Sequence, residues 1–350
     1  MLTGLVLIAL SLYIVFHKEK RKLIFKNKGS ENLILFAFLI LAVPLLYGNW
    51  IGLAVGACIS LAAVLGLYLR TVMTVRLYEH TLSLFCILSI AAVSSAITET
   101  VFRKVLHLED NINRFSGMFF YPNYYGTIIS MVIIICAYKI LTGQKQKFYF
   151  LIAVINVLGV YLCKSIFVWA EVFVGIAVLL IILHKYRLLS VWLFGAAAVS
   201  FLVFGLNIEL IPRLSEVEIT TLLRVKIWIS ALQAIKAGPL IGHGFMSYLF
   251  LYQEEYHVRI VPHAHNLFLD LLLNVGVIGC LLLLTYILPY YKKVVRICFK
   301  EKQHKITPLI LAISAAAFLH GMADNTLLWV QTLPMFLIIL SGLGALEEKH

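Results

Sequence analysis

The stretch Pro262-His263-Ala264-His265-Asn266 runs without a break into an apolar segment that extends through Gly276 and Gly279. Imidazole is the side chain whose ordinary pKa suits proton abstraction near neutrality, so His263 and His265 are candidate general bases. Asn266, Asp270 and Asn274 follow at intervals of four, a spacing that stacks them on one face of a helix. Polar groups are costly in lipid and usually line a cavity or a site, so this helix start is where chemistry is expected. A His-x-His pair also ligates zinc, but the nearest further ligands, His257 and Asp270, do not complete a convincing set, and no metal is expected.

Other polar residues stand out against apolar surroundings. Arg114 opens Arg114-Phe115-Ser116-Gly117, and Pro122-Asn123 follows inside an apolar run, where Asn123 suits a polar contact to a ligand or to a neighbouring helix. Arg224 lies in Leu223-Arg224-Val225-Lys226-Ile227-Trp228, and a guanidinium at a membrane surface pairs bidentately with phosphate. Arg213 and Arg259 share the same loop. Glu171 falls in the middle of an apolar run, either neutral or paired with Lys164. His320 and Asp324, spaced i and i+4, close another run and are expected on the same side of the membrane as His265.

The elements that must position these residues are membrane helices. The 350-residue chain is 62% hydrophobic and 13% charged, which reads as an all-α polytopic membrane bundle rather than a soluble domain. Apolar segments of spanning length fall near 2–16, 31–48, 50–69, 80–98, 117–138, 148–163, 165–183, 188–206, 264–290, 306–323 and 327–345, about eleven spans with a range of 10–12. Residues 2–16 read as a retained first span. With 17–30 in the cytoplasm, the cytoplasmic segments hold 20 of the 29 basic residues and the opposite side 9, which puts the N-terminus out and the C-terminus in. The formal net charge of +12 is therefore a topology signal, and no nucleic-acid partner is expected. Six scattered cysteines show no ligand spacing and imply no disulfide framework.

Residues 1–350 thus read as a single transmembrane domain, within which 207–262 is a large extracytoplasmic loop. Inside that loop, Ile219 to Ala237 reads as an amphipathic helix with Leu223, Ile227, Ala231 and Ala234 on its apolar side, stopped by Gly238-Pro239.

Four segments in order resemble the O-antigen ligase and polymerase superfamily of bacterial envelope polysaccharide enzymes. Arg114 to Gly117 with Pro122-Asn123 is similar to the family's "R-x-x-G … P-N", and Arg224 to Trp228 with Ala231-Leu232 to its "R-x-x-x-W … A-L". Pro239-Leu240-Ile241-Gly242-His243-Gly244 is similar to "P-L-x-G-x-G", and His265-Asn266 through Gly276 and Gly279 to "H-N-x-x-L … G-x-x-G". The resemblance covers about 110 to 280. It implies a multi-pass enzyme of the inner membrane that moves a glycan from a polyprenyl (undecaprenyl) diphosphate carrier to an acceptor hydroxyl outside the cytoplasm, with no cofactor.

The resemblance places the catalytic base on His265 and the loop arginine on Arg224. The family's usual "S-R" is here Ser165-Ile166, so Lys164 takes the place of the second diphosphate-binding cation, with Arg114 as a third. The acidic residue usual near the end of the "H-N" helix is Asn274 here. His263, Asn266, Asp270, Asn274, Asn123, Glu171, His320 and Asp324 are expected to support or line the site. The implied partners are the lipid-linked glycan, a glycan or lipid acceptor, the bilayer and other polysaccharide-assembly proteins. Polymerisation of a repeat unit is the first reading and ligation to a lipid core the second; a proton-coupled transporter using Glu171 and Asp270 is the alternative of another class.

Overall fold

A computed structural model describes residues 2–27, 29–107, 114–208, 210–251, 261–302 and 305–347. Arg259 and His257 lie outside the described residues. All regular structure among the described residues is helical. Six helices are long and apolar enough to cross a membrane: Trp50–Val72, Val75–Val105, Pro122–Leu141, Gln146–Cys163, Tyr186–Gly205 and Leu267–Lys300. Shorter apolar helices occupy Ser30–Leu46, Ile166–Ile182, Thr307–Gly321 and Leu333–Glu347. The polytopic helical class expected from composition is therefore the one observed.

The chain divides into two compact units. The first comprises Met1–Val75, Glu218–Glu301 and Gly321–His350. It contains α1 (Leu2–Phe16), α2 (Lys18–Ile24), α3 (Ser30–Leu46) and α4 (Trp50–Val72). In it α3 packs against both α4 and the later α12 (Leu267–Val295). Phe36, Ile40, Ile59, Leu67, Phe245, Val275 and Leu333 share its buried apolar core. Asn49 caps α4 by accepting from the Gly52 N–H at 2.8 Å, and its amide donates to the Phe245 carbonyl at 2.8 Å. That second bond ties the segment after Pro239 to the start of α4.

The second unit comprises Arg76–Val217 and Lys302–His320. It holds most of α5 (Val75–Val105), then α6 (Pro122–Leu141), α7 (Gln146–Cys163), α8 (Ile166–Ile182), α9 (Tyr186–Ser200) and most of α13 (Thr307–Gly321). α6 starts on Pro122, whose missing N–H costs nothing in a first turn, and packs against both α7 and α8. Val93, Tyr125, Ile129, Val160, Val168 and Val172 form its apolar centre. Lys139, fully buried, is paired with Glu79 and donates to the Gln144 side-chain carbonyl at 3.0 Å.

α10 (Val217–Ala237) buries Ile227, Ala231 and Ile235. Leu223 is 42% exposed, so the buried stripe starts one turn later than its sequence pattern suggested. α11 (Tyr248–Leu251) follows, anchored to α10 by the Tyr248 hydroxyl donating to the Ile227 carbonyl at 3.2 Å.

α12 is broken at Gly276, which sits at φ 60° and ψ −171°, a region essentially closed to residues with a Cβ. In an unbroken helix the Val277 and Ile278 N–H groups would donate to the Leu273 and Asn274 carbonyls. Here they donate instead to Pro239 and Leu240, at 2.9 and 3.0 Å. The vacated carbonyls of Leu273 and Asn274 accept from the N–H groups of His243 and Gly244, at 2.9 and 2.8 Å. The 239–244 segment is thus threaded through the break and satisfies these four backbone groups, as an interrupted membrane helix requires.

Contact is so close that a Cβ on Gly276 would lie 2.4 Å from the Leu240 carbonyl, and one on Gly242 (φ 71°) 2.6 Å from the Asn274 backbone. Gly276→Ala or Gly242→Ala should therefore cost about 3 kcal/mol or more of stability. A lowered thermal unfolding midpoint in detergent checks this; an unchanged midpoint contradicts it.

Candidate active site

The loop that precedes α12 carries both histidines, and Asn266 ends it as the helix cap. Its side-chain oxygen accepts from the Phe268 and Leu269 N–H groups at 3.0 and 3.1 Å, while its amide donates to the Met322 carbonyl at 3.0 Å. Asn266 is in extended conformation (φ −159°), so the expected three-residue stripe is shortened to Asp270 and Asn274. The capping bonds draw its side chain back onto the helix start and away from that face.

His265 Nδ1 lies 3.0 Å from Asp324 Oδ1. Asp324 is buried, and the same oxygen accepts from the Asn325 N–H at 2.8 Å. An ionised carboxylate only accepts, so the proton between them belongs to His265 Nδ1, and Nε2 is left with its lone pair. That is the tautomer of a base. His263 is turned differently. Its Nδ1 accepts from the His265 N–H at 3.2 Å, and its Nε2 is 3.7 Å from Asp324 Oδ1. The side chain of His265 is 19% exposed and that of His263 7%, so His265 is the better placed of the two to meet a substrate.

Burial pushes the His263 pKa down to about 4; the nearby Asp324 charge opposes the shift and His265 adds to it. His263 is therefore a neutral ring at physiological pH. His263, His265 and Asp324 bring three donor atoms within 4.8 Å of one another, close enough for a cation. Asp324 Oδ1 and His265 Nδ1 are already engaged with each other in a hydrogen bond.

Asp270 and Asn274 sit beneath this loop. Asp270 Oδ1 accepts from the Ala264 N–H at 3.0 Å; Oδ2 accepts from the amides of Asn274, at 3.1 Å, and Asn325. Asn274 in turn accepts from the Ser247 hydroxyl at 3.3 Å. Trp228 on α10 donates its indole N–H to the His265 carbonyl at 3.4 Å. Arg224, half-buried, is one turn earlier on the same helix face. The R-x-x-x-W spacing therefore places Arg224 on the same α10 face as Trp228, which reaches the histidine loop.

The second unit gathers other cations. Arg114 donates through Nε to the Cys163 carbonyl at 3.0 Å and through Nη2 to Asn123 Oδ1. It thereby caps α7, whose next residue, Lys164, turns left-handed at φ 47°. Glu216 is held below the ordinary carboxylate range, first by its hydrogen bond from Arg213 and then by the charges of Arg213, Arg114 and Lys164. The charges of Arg213, Arg114 and Lys164 thus all bear on Glu216. Part of Arg114 is committed to holding the backbone.

Glu171 is not paired with Lys164. It accepts from the Ser130 hydroxyl at 2.6 Å and pairs with His320 Nδ1 at 2.8 Å, both side chains being fully buried. Lys164 closes α7 with its backbone turned left-handed, whereas Ser130 and His320 face Glu171 directly. His320 and Asp324, four residues apart, do not share a helix. α13 stops at Gly321, short of Asp324, and the two residues take different partners, Glu171 and His265. Asn325 and Ser247 escaped sequence reading. For Asn325 the signal was present in the polar run Asp324-Asn325-Thr326 within an apolar stretch.

Residues 151–284 match the family model described as O-antigen ligase. That match, over less than half of the chain, supports its resemblance to the O-antigen ligase and polymerase superfamily. The matched region spans α10, the threaded 239–244 segment, the histidine loop and the first half of α12. No curated protein matches the chain. The matched region and the helix pattern support a multi-pass inner-membrane protein similar to glycan-transfer enzymes of this kind.

The His263 environment generates a pH dependence. Its folded pKa, about 4, is below the ordinary 6.5. Between those values the unfolded chain binds a proton that the folded chain does not, so stability falls as pH drops through that window. Thermal midpoints measured from pH 7 to pH 4 should decline less steeply in His263→Gln than in the parent; identical slopes contradict the assignment.

Proposed function

We propose that this protein, like the O-antigen ligases that residues 151–284 resemble, transfers a glycan from a polyprenyl diphosphate carrier to an acceptor hydroxyl on the extracytoplasmic face, with His265 as general base. The observation that carries the reading is the Asp324 carboxylate on His265 Nδ1, which leaves Nε2 as the proton acceptor.

In the proposed step the acceptor hydroxyl gives its proton to His265 Nε2 as its oxygen bonds to the anomeric carbon. The bond from that carbon to the diphosphate oxygen breaks, and its electron pair leaves with the carrier. Asp324 stabilises the imidazolium that forms, as the buried carboxylate does in a catalytic triad. The diphosphate is already a good leaving group, so cations that hold its charge matter most. Arg224 is the cation assigned beside the base, and Lys164 and Arg114 are the others. No metal enters this scheme.

The extracytoplasmic side is supported by the distribution of basic residues. It excludes nucleotide sugars, which are made in the cytoplasm, as donors. Polymerisation of a repeat unit is the reaction we assign, with ligation as the other reading. The purified protein in liposomes should consume a polyprenyl-diphosphate oligosaccharide, ignore nucleotide sugars and keep its rate in a metal chelator. A product ladder indicates polymerisation and a single addition to lipid core indicates ligation. Turnover of a nucleotide sugar, or loss of activity in the chelator, contradicts the proposal.

A further inference from the structure

We propose that Asp270 is a positioning residue for this transfer, whose buried carboxylate holds the peptide between the two histidines and, through Asn325, the turn that carries Asp324. The inference rests on the reading of His265 as the base.

His265 has φ 46°, a left-handed conformation that residues with a side chain adopt sparingly. Such a conformation persists where its surroundings over-determine it. The Ala264 N–H is fixed by Asp270 at 3.0 Å, the His265 N–H by His263 and the His265 carbonyl by Trp228. Of these anchors, Asp270 also reaches the other half of the catalytic pair. Its Oδ2 receives the Asn325 amide, and the Asn325 backbone N–H rests on Asp324. Both members of the 3.0 Å His265–Asp324 hydrogen bond therefore hang from one carboxylate on the first turn of α12.

That carboxylate is 2% exposed and surrounded by N–H donors from Ala264, Asn274 and Asn325. A buried charge is tolerated when its lone pairs are filled in this way. In this chain position 274, where the family pattern carries an acid, holds an amide that donates to Asp270. The negative charge of this helix face thus sits one turn nearer the histidine loop.

The test compares donor kinetics of full-length variants in liposomes. Asp270→Asn keeps the shape but presents an amide to the amides of Asn274 and Asn325. It should lower kcat roughly ten- to a hundredfold, with the donor KM within about twofold, because misplacing a catalytic group impairs the reacting geometry and not carrier binding. Asn325→Ala releases the Asp324 turn alone and should also lower kcat at unchanged KM. The double variant Asp270→Asn with Asn274→Asp restores a carboxylate–amide pair inside α12 but not the acceptor for the Asn325 amide, so it should stay slow. Parental kcat in both single variants, a loss confined to KM, or recovery in the double variant overturns the proposal. Activity in His265→Ala would instead overturn the base assignment itself, so the two failures are separable.

Discussion

A broken membrane helix has to find partners for the backbone groups that the break releases, and in this chain the 239–244 segment supplies them. Two N–H groups and two carbonyls of α12 exchange their helical partners for Pro239, Leu240, His243 and Gly244. Each unmet group in an apolar interior would cost several kcal/mol, so the exchange fixes both segments at once. It separates the first turns of α12, which carry Asp270 and Asn274 behind the histidine loop, from the longer remainder. It also locates the chain that leads from α10 through α11, because Ser247 and Tyr248 reach Asn274 and α10 from it. Two of the four segments that resemble the O-antigen ligase motifs are the two halves of this interlock, and the close backbone approach explains why Gly242 and Gly276 have to lack a Cβ.

On that frame, two buried carboxylates divide the work around one imidazole. Asp324 bonds the ring and determines which nitrogen is free; Asp270 bonds the backbone beneath it. His263 adds a neutral wall rather than a charge, since burial holds it unprotonated well below neutral pH. The arrangement resembles the logic of a hydrolase triad, in which orientation of the base is as important as its presence.

Sequence legibility followed the distance over which each signal acts. The spans were readable because twenty apolar residues in a row have few other fates, and the stop at Gly238-Pro239 was readable as local chemistry, whereas Asn266, expected in the polar stripe, caps the helix instead. The motif singled out His265, the proposed base. Asp324 is expected from sequence to line the site but not to be the partner of His265, because its i, i+4 spacing from His320 says nothing once a helix ends, and α13 ends at Gly321. The pairing of Glu171 with His320 joins residues 149 positions apart on different helices, and no periodicity encodes such a contact. The threading of 239–244 through α12 was hidden for the same reason: Gly-x-Gly marks a turn, but which backbone it will approach is decided by tertiary packing.

The central claim is that Asp324 makes His265 Nε2 the base, and the most direct measurement is the turnover of lipid-linked glycan by Asp324→Asn. An amide in place of the carboxylate can hydrogen-bond the ring but no longer favours the Nδ1–H tautomer or stabilises the imidazolium. The account predicts a loss of about two orders of magnitude or more in kcat from a folded, membrane-inserted protein. A variant that turns over at the parental rate would contradict it.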